Sequence, residues 1–320
     1  MHVRVRLGRA FENGRKCSTR RAPRRPKIDE DDALLDGSGE FSTGNRTRVH
    51  AGTVPRPWPK KSRKLFVQAR ALPILCSGAA MHEGKPGSLR LRQLVDVESS
   101  TISYLMWDSE TKEAILVDPV RGQVARDTQL ISELALTLVA VVDTHVHADH
   151  VTAAGALRDA TGCLSMSGAG GAPCVDRALA HGDVVQVGLT QLRVLSTPGH
   201  TPDSISLAGA WFVLTGDALL VRGCGRTDFQ NGDAGALYDS ITQHIFTLPP
   251  ETLVYPGHDY RGHLVSTVAE ECMYNARISG KTREAFVTLM GSLVLPLPKH
   301  IHEAVPANQA CGNEPSASTD

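Results

Sequence analysis

The sequence predicts a layered α/β (α+β) protein built as a sheet sandwich, and three observations predict it. From residue 100 onward, short β-rich runs alternate with stretches of helical period. Several of those runs break on Pro or Gly turns. Seven histidines and aspartates of metal-binding type stand just past four of the runs, which brings them together at one edge of the sandwich.

Charge separates a first segment from this body. Residues 1–70 carry 18 Lys/Arg against 7 Asp/Glu, so the other 250 residues carry 16 against 27, and the overall zero hides a basic arm on an acidic body. Residues 1–28 hold ten Lys/Arg and one acid, Glu12, without an apolar h-region. That composition argues against a secretory signal and has the Arg-rich character of an organellar transit peptide, although Asp29-Glu30-Asp31-Asp32 interrupts it. A tail without structure is the alternative, with Met81 as an internal start after the second basic stretch, Lys60 to Arg70. No aromatic interleaving or nucleic-acid motif accompanies the basic residues, so no nucleic-acid partner is expected. Residues 1–86 are read as a basic extension, 87–312 as the catalytic domain and 313–320 as a polar tail.

Along the domain, strands are expected near Ser100 to Trp107 and Ala114 to Val117, then a helix over Asp127 to Leu136 and a strand over Leu138 to Val142. This strand opens into Thr144-His145-Val146-His147-Ala148-Asp149-His150, three imidazoles and a carboxylate within six residues. A lone histidine there would be an ordinary solvated side chain, whereas H-x-H-x-D-H on a rigid strand end is a metal-site pattern. A helix over His150 to Ala160 and a strand over Val184 to Val187 follow. Next, the alternating run Gln191 to Ser196 ends at Thr197-Pro198-Gly199 before His200, and Ala210 to Thr215 ends at a Gly before Asp217. Thr252 to Tyr255 ends at Pro256-Gly257 before His258, and helices are expected over Asp233 to Phe246, Thr267 to Ile278 and Thr282 to Leu293. Asp217 or His258 alone would be unremarked surface residues; their common placement makes them candidates.

The seven cysteines show no CxxC pair and no framework spacing, and their number is odd, which reads as unpaired thiols in a reducing compartment. The longest apolar run, Leu134 to Val142, is far short of the roughly 20 residues a membrane helix needs, so no membrane partner is expected.

At this point the chain resembles the metallo-β-lactamase superfamily, whose αββα sandwich carries HxHxDH, a later His, an Asp and a final His in this order. Within it, the chain is similar to the persulfide dioxygenases, relatives of glyoxalase II, over about Leu91 to Gly312. The narrowest block is Thr215-Gly-Asp217-Ala-Leu-Leu-Val-Arg222-Gly-Cys224-Gly-Arg226-Thr-Asp228-Phe-Gln230; Ala114 to Val120, Tyr255 to Tyr260 and Val305 to Gly312 also match. Three positions depart from the pattern: Gly257 replaces Ala, Val146 replaces Cys, and Asp203 replaces Gly. Asp203 adds negative charge beside the metal loop and is expected to alter substrate preference slightly.

Ligand types alone leave metal number open, because all seven residues of a two-metal site are present. The resemblance implies one Fe(II) per chain on His145, His200 and Asp217, the catalytic group, with two imidazoles and a carboxylate forming a facial triad. His147, Asp149, His150 and His258 then orient the ligands, or form the second half of a site for two Zn or mixed Zn/Fe. The implied reaction oxidises glutathione persulfide with O2 and water to sulfite and glutathione, in sulfide catabolism. Arg226 is expected to clamp a glutathione carboxylate, Tyr260 to donate a hydrogen bond, and Asn308 with Cys311 to close over the pocket. Arg222 is expected to pair with Asp228, Cys224 to be a small packed side chain, and Asp259 to sit around the ligands. A mitochondrial matrix location and a homodimer belong to the same reading; cytoplasmic and plastid locations are its alternatives.

Two other functions compete. A glyoxalase II-like hydrolase of hydroxyacylglutathione thioesters would use two metals, but only 62 residues follow His258, short for that family's helical substrate domain. A non-catalytic metal-binding module would favour a closed Cys/His set over this open, carboxylate-rich one.

Overall fold

Strand β2 (Leu89–Val95) alternates buried and half-exposed residues, whereas β3 (Ile102–Asp108) is buried throughout, so the first forms an outer part and the second the middle of a sheet. The computed structural model describes residues 81–83, 89–298 and 300–313. Nearly all of the basic extension and the polar tail therefore lie outside the described residues.

Seven strands make the first sheet, in the order β1 (Met81–Glu83), β2, β3, β4 (Glu113–Val117), β5 (Thr137–Asp143), β6 (Leu164–Gly168) and β7 (Arg177–Leu179). From β4 to β7 the neighbours are parallel, and the earlier pairs are antiparallel. The second sheet runs β13 (Ser266–Thr267), β12 (Leu253–Pro256), β11 (Phe212–Gly216), β10 (Ile205–Ala208), β9 (Thr190–Ser196) and β8 (Val184–Val187), with β11 and β12 parallel.

Three apolar layers follow from the two faces of each sheet. Ile102, Tyr104, Val117 and Val142 meet Val194, Leu207, Leu214 and Tyr255 between the sheets. Outside the first sheet, Leu105, Leu116 and Val141 pack on Ile131 of α1 (Val124–Glu133) and Leu157 of α2 (Ala154–Thr161). Outside the second, Val213 and Val254 pack on Leu237 of α3 (Ala234–Ser240) and on Ile241 just past it. Val268 of α4 (Val268–Tyr274) and Phe286 of α5 (Arg283–Gly291) complete that layer. The order helix, sheet, sheet, helix is the expected αββα sandwich. Each fully buried Leu, Ile or Phe contributes roughly 1.5–3 kcal/mol to holding it closed.

Local rules set the helix starts. Asp233, Thr267 and Thr282 stand at the N-caps of α3, α4 and α5, each accepting a backbone N–H three residues on. The expected helix from Asp233 to Phe246 is α3 continued by a π turn over Ile241–Ile245. The helix expected from His150 begins only at Ala154, because Thr152 bridges to Val120 and its N–H donates to Asn308. That expected over Thr267 to Ile278 stops at Tyr274, where Asn275 turns extended and its amide donates to the Gly223 carbonyl. A sixth helix, α6 (Ile301–Gln309), was not expected, since Pro306 lies inside it and Pro reads as a breaker.

The cysteine expectation is corrected. Cys174 and Cys311 form a disulfide across 137 residues of sequence, while Cys163, Cys224 and Cys272 are thiols. No helix among the described residues is long and apolar enough to cross a membrane.

Candidate metal centre

Four strand ends deliver the candidate ligands to one rim. His145 follows β5, His200 follows β9, Asp217 follows β11 and His258 follows β12. His145, His200 and Asp217 each offer a ligand atom within 4.8 Å of the others, and so do His147, Asp149 and His150. His145, His147 and His150 of the loop are buried, as are His200 and His258, while Asp149 and Asp217 are half-buried.

Hydrogen bonds set each tautomer. Thr144 donates its hydroxyl to Asp118 Oδ2 at 3.0 Å, so at 3.0 Å from His145 Nδ1 it accepts, and Nε2 of His145 keeps a lone pair. The Arg226 carbonyl accepts from His200 Nδ1 at 2.7 Å, which likewise leaves Nε2 of His200 as a ligand, 3.5 Å from Asp217 Oδ2. His147 Nε2 donates to Asp118 Oδ1 at 3.1 Å, and His150 Nδ1 to Asp149 Oδ2 at 2.9 Å. The opposite nitrogens, His147 Nδ1 and His150 Nε2, are buried without hydrogen-bond partners, as is Asp217 Oδ1, whose nearest charge is His258 Nε2 at 3.6 Å. Buried lone pairs left this way cost about 1–3 kcal/mol each, and a cation removes the cost. The donor set therefore fits a metal, although it fits one ion or two.

The electrostatics agree. Burial, then the neighbouring imidazoles, holds His145 and His147 well below the usual histidine range, so both are neutral ligands. Burial would raise Asp149 and Asp217, but the surrounding histidines, His258 foremost, hold both below the usual carboxylate range. Against its own burial, His258 is raised to about 9 by Asp217 and Asp149, each 3.6 Å from its Nε2. Burial and the charge of Asp118 push Asp143 up to about 7.

The Gly-Cys-Gly-Arg block packs against the ligands. Gly225 N donates to the Asp217 carbonyl at 2.7 Å, and a Cβ on Gly225 would lie 2.3 Å from that oxygen and 2.8 Å from His200 Nδ1. Only glycine lets this loop close on both ligands. Cys224 is buried 3.8 Å from Met290 Sδ, and burial pushes its thiol up to about 11, as a packed side chain requires.

Three expected roles are corrected. The Arg226 guanidinium grips Asp228 through two bonds, reaches the carbonyls of Leu295 and Pro296, and lies 4.9 Å over Phe229, which packs edge-on to His200. Its donors are thus engaged within the chain, and through Phe229 it sits behind His200. Arg222 pairs with Glu271 rather than with Asp228. Asn308 is buried, accepting Thr152 N–H and donating to the carbonyls of His147 and His150, so its amide ties down the metal loop. Tyr260 is 71% exposed and stacks parallel to His258 at 5.9 Å, and Asp259 accepts Arg261 N–H. Asp118, Thr144 and Thr101 had no assigned role; Asp118 just past β4 obeys the same strand-end rule as the ligands. Thr101, whose hydroxyl donates to Asp149 Oδ2 at 3.0 Å, carries no sequence signal.

Comparison with known proteins places this geometry in a family. The Metallo-beta-lactamase superfamily profile matches residues 98–173 and 176–258, in accord with the sandwich and its rim of histidines. Mitochondrial persulfide dioxygenase ETHE1 from Homo sapiens is 46% identical over 232 residues, spanning 72% of this chain and 91% of that protein. The crystal structure of ETHE1 from Myxococcus xanthus is 57% identical, with a TM-score of 0.69 over 70% of this chain and 99% of that one. The chain belongs to the persulfide dioxygenase family of the metallo-β-lactamase superfamily.

Proposed function

We propose that this enzyme is a persulfide dioxygenase using one Fe(II) per chain, held by His145, His200 and Asp217, to oxidise glutathione persulfide to sulfite and glutathione. Its family membership, at 46% identity across nine-tenths of the human enzyme, carries the reading. The bound metal would supply coordination positions for the terminal sulfur and O2.

The chain's own residues do the rest. Thr144 and the Arg226 carbonyl orient the two imidazoles, and Asp118 holds Thr144 in turn. Asp149 is engaged by Thr101 and His150, which supports a role for it in the hydrogen-bond network in place of a second metal. Asp217 and Asp149, each 3.6 Å from His258 Nε2, raise its pKa to about 9 and so favour its protonated form between the two carboxylates. Tyr260 stacks on it at the solvent edge, and its exposed phenol is available to a substrate. A matrix location and a homodimer accompany the reading, the first supported by the mitochondrial name of the human relative and by the Arg-rich start. Metal analysis of anaerobically purified protein tests the proposal: about one iron per chain is expected, and two zinc ions per active chain would overturn it.

A further inference from the structure

Helix α6 reaches the metal loop through Asn308, and three residues further on Cys311 is bonded to Cys174, in the loop between β6 and β7. Of the nine residues of α6 only Ala304, Ala307 and Asn308 are buried, and two alanines bring little apolar surface to the fold. The segment is therefore held largely by polar contacts and by this one covalent link. Asn308 bonds residues 147–152, Cys311 O accepts Gly155 N–H at 2.8 Å, and the Arg121 guanidinium donates to the Gly312 carbonyl. Gly170 and Gly171 of the Cys174 loop and Val305 and Gln309 of α6 also line one cavity with Val146 of the metal loop.

The cysteine pair has the asymmetry that thiol exchange needs. Cys174 is half-exposed while Cys311 is 1% exposed, so an incoming thiolate meets Cys174 and Cys311 is the leaving group. Arg158 donates to the Cys174 carbonyl at 3.0 Å and Arg121 to that of Gly312, which puts a guanidinium beside each cysteine and favours the thiolates that exchange releases. In a compartment where glutathione keeps thiols reduced, such as the matrix location proposed above, a disulfide is usually transient or redox-sensing.

We propose that Cys174 is a thiol-exchange site for a low-molecular-weight thiol of the glutathione class, and that opening it loosens the hold of α6 on the metal loop. The thiolate sulfur attacks Cys174 Sγ, a mixed disulfide forms there, and Cys311 leaves as a thiolate. A second thiolate attacks the thiol-derived sulfur of that mixed disulfide and frees Cys174. Two thiols are thus oxidised to one disulfide as the protein disulfide is reduced to two thiols. The inference rests on the persulfide reading and deepens it by giving the site a regulator, since the thiol that the reaction releases is of the kind that opens the link.

The test incubates metal-loaded protein with millimolar glutathione and follows peptide mapping, amide hydrogen exchange and metal loss to a chelator. The glutathione adduct is expected at Cys174, exchange over residues 301–313 should quicken on the order of tenfold or more, and metal should be lost faster in parallel. Cys174→Ser should show the quicker exchange and metal loss without glutathione and respond no further to it. Should that variant not fold, the glutathione-opened wild type reads the same quantities. A link that stays closed in millimolar glutathione, as a structural disulfide does, would overturn the exchange site. Opening that leaves hydrogen exchange and metal loss unchanged would overturn its coupling to the metal loop. None of these readouts involves turnover, so absence of O2 uptake with every persulfide would sink the persulfide reading and leave the exchange site standing.

Discussion

At the scale of residues, the account turns on atoms that cannot be moved without moving a ligand. Gly225→Ala is predicted to lose metal and about 1–3 kcal/mol of stability, because its Cβ meets the Asp217 carbonyl and the His200 ring. Metal content and thermal melting would show this, and a variant with normal metal content would show that the loop can withdraw. Asn308→Ala breaks three bonds to the metal loop at once and should cost about 2–4 kcal/mol with weakened metal retention. Dialysis against chelator, followed by metal analysis, separates this from a substrate-contact role, which would spare metal. That the candidate histidines and aspartates gather at one rim was legible in the sequence, because each stands just past a strand on a turn. The roles of Arg226 and Asn308 were not, since an Arg or Asn side chain shows what it grips only after distant segments meet: residues 295–296 for the first, residues 147–152 for the second.

Among the elements, strands and helices with clean periodicity were readable to within a few residues, as β5, α1 and α5 illustrate. Where tertiary contacts overrode the pattern, boundaries moved: Thr152 left its helix for Val120 and Asn308. The C-terminal α6 was hidden by Pro306, and its anchor was hidden too, because cysteine spacing carries no information about which thiols approach each other. The Cys174–Cys311 disulfide lies just past the Asn308 contacts, and Cys311 O also accepts Gly155 N–H of α2. Replacing both cysteines by Ser is predicted to lower stability by about 2–5 kcal/mol relative to the oxidised protein. Denaturant midpoints with and without reductant measure it; a wild-type midpoint that ignores reductant would remove the disulfide from the account.

For the whole molecule, the described sandwich and its rim lie within residues 81–313, and the human relative is matched over nine-tenths of its length by 72% of this chain. Deleting residues 1–80 is therefore predicted to leave persulfide oxidation and melting temperature nearly unchanged, whereas a large loss of active protein would make that segment part of the fold. The central claim is the reaction itself, and glutathione persulfide in an oxygen electrode cell, with sulfite assayed in parallel, tests it most directly. The account predicts O2 consumed and sulfite formed in about equal amounts, with little hydrolysis of S-lactoylglutathione, because one six-coordinate ion held by the proposed His145, His200 and Asp217 set would keep positions for both sulfur and O2. Rapid thioester hydrolysis without O2 uptake would contradict it.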